Sequence, residues 1–76
     1  MDKSKKLELL AEIMDADPEE LTEEAELREA GEWDSLSILS FAVLMEDEFG
    51  KETSREAIRK LVTVGDALRM MEEAEA

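Results

Sequence analysis

The sequence predicts an all-α domain. Apolar residues recur at helical spacing in three separate stretches, and no stretch alternates apolar with polar as a strand would. The chain has 76 residues, which is one small domain, 1–76, with too little interior to enclose a deep pocket. It has no cysteine, so neither a disulfide nor a thiolate metal site supplements the hydrophobic core.

The first helix is expected over "SKKLELLAEIMDA". Leu7, Leu10, Ile13 and Met14 share a face there, with Ser4 as a candidate N-cap. Pro18 either stops this helix or starts the following turn. Residues 17–33 form a long connection, pinned to the core through Leu21 and Leu27, with Trp33 as a further candidate. Long loops that are tied down often carry function. The second helix is expected from Leu36 to Phe49, ended by Gly50, since glycine suits a helix C-cap. "TSREAIRKL" predicts a short helical segment. The last helix starts at "TVGDALRMM", where Thr63 and Asp66 resemble a capping box with Asp in place of the usual Glu or Gln. The tail "EEAEA" is expected to fray.

Nine Lys and Arg against 22 Asp and Glu give a net charge of −13. Phosphate backbones would be repelled, so nucleic acid is not an expected partner, while a basic protein surface is. No run approaches the roughly 20 apolar residues of a membrane span, and the N-terminus lacks a signal-peptide core. The expected location is therefore cytoplasmic. The chain contains no histidine, which rules out Ser-His and His-metal centres built from this chain. Asp15, Asp17, Glu19, Glu23 and Glu26 fall at oxygen-ligand positions of a calcium loop. Glu20 occupies the position that needs glycine, however, and Pro18 intrudes, so no metal site is expected. No carboxylate pair has a recognisable pocket around it, and the chain is not expected to be an enzyme.

The second helix carries more apolar residues than one buried face needs. At about 100° per residue, Phe41, Ala42, Met45 and Phe49 fall within roughly 60° of Ile38. Leu36, Leu39 and Val43 form a second stripe roughly 100° to 160° away. Either this stripe lies under the 17–33 connection or it is an exposed patch for a partner, rimmed by Glu46, Asp47 and Glu48. At the head of the helix, Ser35 is a candidate N-cap or first-turn residue. The unpaired N–H groups and positive dipole end at that place also favour a phosphate.

The stretch "WDSLSILSFAVLMEDEFG", followed by "KETSREAIRKLVTVGDAL", resembles the phosphopantetheine-bearing acyl carrier protein family. The matching motifs are Asp34-Ser35-Leu36, the helix end from Glu46 to Gly50, and Thr63-Val64-Gly65-Asp66-Ala67, at spacings that fit the family. "DADPEELTEEAELRE" resembles the family's entry into its first loop, so the likeness covers nearly the whole chain. It implies a four-helix bundle of the acyl-carrier type with a long first loop and a short third helix. It further implies that a separate phosphopantetheinyl transferase, using magnesium, esterifies Ser35 with the 4′-phosphopantetheine of coenzyme A. Asp34 and Leu36 would complete the modification motif. The arm would carry acyl or aminoacyl intermediates as thioesters in fatty-acid, polyketide or other specialised biosynthesis. Leu36, Leu39, Val43, Glu46 and Asp47 would form the docking surface for acyl-loading and acyl-processing enzymes with basic surfaces, and the chain would be a monomer. The rival reading is an acidic, carrier-like interaction module that is never modified.

The sequence departs from the family pattern in several places. Ser37 and Ser40 stand where fatty-acid carriers often have acids. Trp33 replaces a small residue. Lys51, Thr53 and Ser54 make the loop after Gly50 polar, which predicts a loosely held third helix, and together these departures place a specialised carrier at least level with a fatty-acid one. Phe41 stands where Leu is common and Leu44 where a small residue is common. Their bulk predicts a short or polar cargo, or one that stays outside the bundle.

Overall fold

The computed structural model describes residues 1–75, which form five α-helices, three of them long. Helix α1 spans Lys3–Met14. Its N-cap is Asp2 rather than Ser4: the Asp2 carboxylate accepts from the Lys5 N–H at 2.8 Å. A carboxylate caps as well as a hydroxyl, and the earlier residue leaves Ser4 inside the helix. Asp15 ends α1 in the left-handed region at φ 52. Pro18 starts the following turn, at the first position of a 3-10 segment, Pro18–Glu20, where its missing N–H costs nothing.

The long connection contains one element that its sequence does not announce, the single-turn helix α2 (Leu27–Ala30). Its N-cap, Glu26, makes no side-chain capping bond. What holds the connection is tertiary. Leu21, Leu27 and Trp33 are buried. Leu27 N–H donates to the Val62 carbonyl at 2.9 Å, Val64 N–H to Ala25 at 2.9 Å and Gly65 N–H to Glu23 at 3.0 Å. These bonds surround an isolated antiparallel bridge between Glu26 and Thr63. At the other end, Glu32 N–H donates to the Met14 carbonyl at 2.8 Å. That approach requires Gly31, because a Cβ there would stand 2.8 Å from the Met14 oxygen.

Helix α3 (Ser35–Phe49) ends at Gly50, whose φ of 63 supplies the left-handed C-cap. Helix α4 (Arg55–Arg59) is one short turn capped by Ser54 and anchored by buried Ile58. Helix α5 (Val64–Glu75) opens with a working capping box. Asp66 N–H donates to Thr63 Oγ1, and Asp66 Oδ2 accepts from Thr63 N–H and Val62 N–H, all at 3.1 Å. The Thr63 and Val62 N–H groups hold the Asp66 carboxyl below the usual carboxylate range. The tail is helical through Glu75 rather than frayed, and Ala76 lies outside the described residues. Glu75 pairs with Lys6, a buried lysine of α1, and that bond lowers the Glu75 pKa.

Three long helices and α4 surround one core. Leu10 and Met14 come from α1, Ile38, Phe41 and Met45 from α3, and Val64, Leu68 and Met71 from α5. Trp33 meets the edge of Phe41 with ring centroids 5.9 Å apart at 67°. Such pairs add roughly 0.5–1.5 kcal/mol beyond area burial. Among the described residues no helix is long and apolar enough to cross a membrane.

Candidate functional site

The site is the head of α3, held by a clamp that the sequence shows only in part. Asp34 is the N-cap, and its Oδ1 accepts from Leu36 N–H and Ser37 N–H at 3.1 Å each. Ser35 is therefore the first helical residue and not the cap. This also corrects the expectation of an open anion site there, because the Asp34 carboxylate already answers the free N–H groups and the helix dipole. The Ser37 N–H is the main cause that holds the Asp34 carboxyl below its ordinary range. Burial opposes it, while the Ser37 hydroxyl and Leu36 N–H assist. Asp34 is a carboxylate at neutral pH.

Ser37 is the residue whose role sequence reasoning missed. It is buried, and its hydroxyl donates to the Glu32 carbonyl at 2.7 Å, with Asp34 Oδ1 3.3 Å away. This closes residues 32–37 into a rigid turn that joins the end of the long connection to the start of α3. The available signal was its place three residues after Asp34, where a polar side chain folds back on the cap.

The five serines differ in what their surroundings leave them to do. Ser37 is buried and bonded, and Ser54 accepts the Ala57 N–H at 3.2 Å as the α4 cap. Ser40 is half-buried on the flank of α3, and Ser4 is exposed along α1. Ser35 is exposed at the tip of α3, and its hydroxyl makes no hydrogen bond among the described residues.

The second apolar stripe of α3 faces solvent. Leu36 is 71 %, Leu39 40 % and Val43 50 % exposed, so the 17–33 connection does not cover it. Glu46, Asp47 and Glu48 are exposed beyond it. Val62, also exposed, was not singled out from the sequence. It sits in the turn before α5, where its backbone rather than its side chain is used. Between α1 and α3 lies an open groove of about 450 Å³, lined by Leu9, Glu12 and Ile13 on one side and by Glu32, Asp34, Leu36, Ser37, Ser40, Val43 and Leu44 on the other. Two of the weighed calcium-loop carboxylates are engaged elsewhere: Asp17 caps the Glu19 N–H and Glu23 pairs with Lys3 at 3.1 Å. Among the described residues no cluster of three or more such side chains is placed to hold a metal.

Comparison with known proteins bears on this geometry directly. The family model described as the phosphopantetheine attachment site matches residues 7–71. The acyl carrier protein of Wolinella succinogenes is 34 % identical over 65 residues, covering 86 % of each chain. Attachment of a phosphopantetheine group requires a hydroxyl that is reachable and not engaged in holding the fold. At the head of α3 the Ser35 hydroxyl is exposed and makes no hydrogen bond among the described residues.

Proposed function

This chain belongs to the acyl carrier protein family, whose cofactor is phosphopantetheine, and from that premise we propose that Ser35 is the residue that bears it. The observation that carries this reading is the exposed, unbonded Ser35 hydroxyl at the tip of α3, within Asp34-Ser35-Leu36 and beside an exposed apolar stripe. In the modification, Ser35 Oγ forms a bond to the β-phosphorus of coenzyme A. The phosphoanhydride bond breaks, the nucleotide portion leaves, and the hydroxyl proton passes to a base of the phosphopantetheinyl transferase. When bound, the group supplies a terminal thiol that holds an acyl or aminoacyl cargo as a thioester.

The chain's own part is positioning rather than catalysis. Asp34 turns its carboxylate onto the helix N–H groups, so it fixes Ser35 at the first helical position instead of activating it. Leu36, Leu39 and Val43 offer the partner an apolar surface. Glu46 and Asp47 stand beside it to steer basic surfaces of loading and processing enzymes. The cargo is short or polar, or stays outside the bundle. Phe41 is fully buried with Trp33 on its edge, and forcing extra methylenes into such a core costs roughly 1–3 kcal/mol. The pathway is fatty-acid, polyketide or another specialised biosynthesis, and Ser37 and Ser40 in place of acids put a specialised one at least level with fatty-acid synthesis.

Incubation with a transferase, coenzyme A and magnesium should raise the intact mass by one phosphopantetheine, mapped to Ser35 by fragmentation. Ser35→Ala should leave the mass unchanged. A wild-type mass that several promiscuous transferases fail to change would overturn the reading in favour of an unmodified interaction module.

A further inference from the structure

Resting on Ser35 as the attachment residue, we propose that the pantetheine arm folds back along the groove between α1 and α3. The groove begins at the attachment point, because Asp34 and Leu36, the two neighbours of Ser35, both line it. From Ser35 to Leu44 it follows about 14 Å of helix at 1.5 Å per residue. Its volume of about 450 Å³ falls within the roughly 300–1,000 Å³ of small-molecule sites.

The lining suits a neutral, mixed chain. Leu9, Ile13 and Leu44 supply apolar surface for the branched methyl groups of the arm. Glu12 and Ser40 supply acceptors for its amide N–H groups. Leu9 is the informative side chain: it is half-buried, yet it stands outside the set of apolar residues packed against the core. The two serines on this flank of α3 have a joint physical consequence. Acids at positions 37 and 40 would fill the groove and charge it, whereas Ser37 and Ser40 leave it open. The phosphodiester itself stays outside, at Ser35, because Glu12, Glu32 and Asp34 would repel it further in. The route between α3 and α4 is disfavoured by comparison, since Phe41 and Ile58 are fully buried there.

The test uses isotope-labelled protein with an unlabelled arm, compared before and after modification. Cross-relaxation should appear between the geminal methyl protons of the arm and the methyl groups of Leu9, Ile13 and Leu44. Amide shifts should extend to Leu9, Ser40 and Leu44. Ser40→Leu, which plugs the groove, and separately Leu9→Ser should each remove these contacts while the unmodified spectrum stays folded. Shifts confined to residues 34–37, or contacts to Ile58 and Ala57 instead, would overturn the proposal. Failure of the Ser35 reading is seen earlier and differently, as an intact mass that does not change or that maps to another serine.

Discussion

The two faces of α3 have nearly the same chemistry and opposite fates. Ile38, Phe41 and Met45 are almost completely buried, whereas Leu36, Leu39 and Val43, on the same helix, are 40–71 % exposed. Burial therefore does not follow from side-chain hydrophobicity here. It follows from which face the other elements reach. α1, α4, α5 and Trp33 close over the first face, and the long connection is drawn elsewhere by Leu21, Leu27 and its backbone bonds to residues 62–65. A second apolar face left open beside an exposed serine is the surface proposed above for partner docking.

The largest way to break this comparison is on the inner face. Phe41→Ala should lower unfolding stability by about 3–5 kcal/mol, because a fully buried ring is removed and Trp33 loses its contact. Denaturant midpoints at constant slope measure it. A loss below about 1 kcal/mol would mean that the inner face is not the core.

On the outer face the same truncation should act on partners instead. Leu39→Ala and Val43→Ala should shift stability by no more than about 0.5 kcal/mol. Each should reduce transfer or partner binding by about tenfold, the size of a modest interface hot spot. Binding should also weaken with added salt, since exposed charges are screened over about 8 Å at physiological ionic strength. Unfolding of these variants, together with salt-independent binding, would make the outer stripe structural.

Ser37 lies at the border of the two faces. Ser37→Ala removes the donor to the Glu32 carbonyl and should cost about 1 kcal/mol. The amide signals of Ser35 and Leu36 should broaden or move as the turn loosens. A variant with wild-type stability and unchanged signals would show that the clamp does not hold the site.

The smallest effect separates charge from capping geometry. Asp66 has its pKa lowered in the folded state, so the stability that its charge contributes is present above the unfolded value of about 4 and is lost as pH falls through the lower folded value. Asp66→Asn keeps a capping oxygen and removes the charge. The wild type should be the more stable at pH 7, and the difference should shrink steadily below about pH 4. A difference that is constant across this range would assign the effect to geometry alone.

Local chemistry made much of the molecule readable from residues. Gly50 as a left-handed cap, the Thr63–Asp66 box and the apolar period of α3 are short-range features, and each is observed as expected. The motif around Ser35 was legible through its resemblance to the carrier family rather than through local chemistry. Less legible were features whose partners lie far along the chain. Helix α2 has no capping side chain of its own and rests on residues 62–65. The tail holds its helix because Glu75 meets Lys6 across the bundle. At the site, Ser35 was the visible candidate, for the cap or the first turn, and Asp34 was not read as a cap. Only the folded turn, with Ser37 bonded back to Glu32, assigns that role to Asp34 and leaves the Ser35 hydroxyl free.

The sequence by itself determined the all-α class, the two apolar faces of α3 and the serine at its head, because helical period, caps and turn residues act within a few positions. Tertiary structure alone decided which of the two faces is covered, that Ser37 rather than Ser35 is bonded at the head of α3, and where a groove opens between α1 and α3. Those outcomes depend on how distant segments compete for the same surface, and no window of neighbouring residues contains that competition.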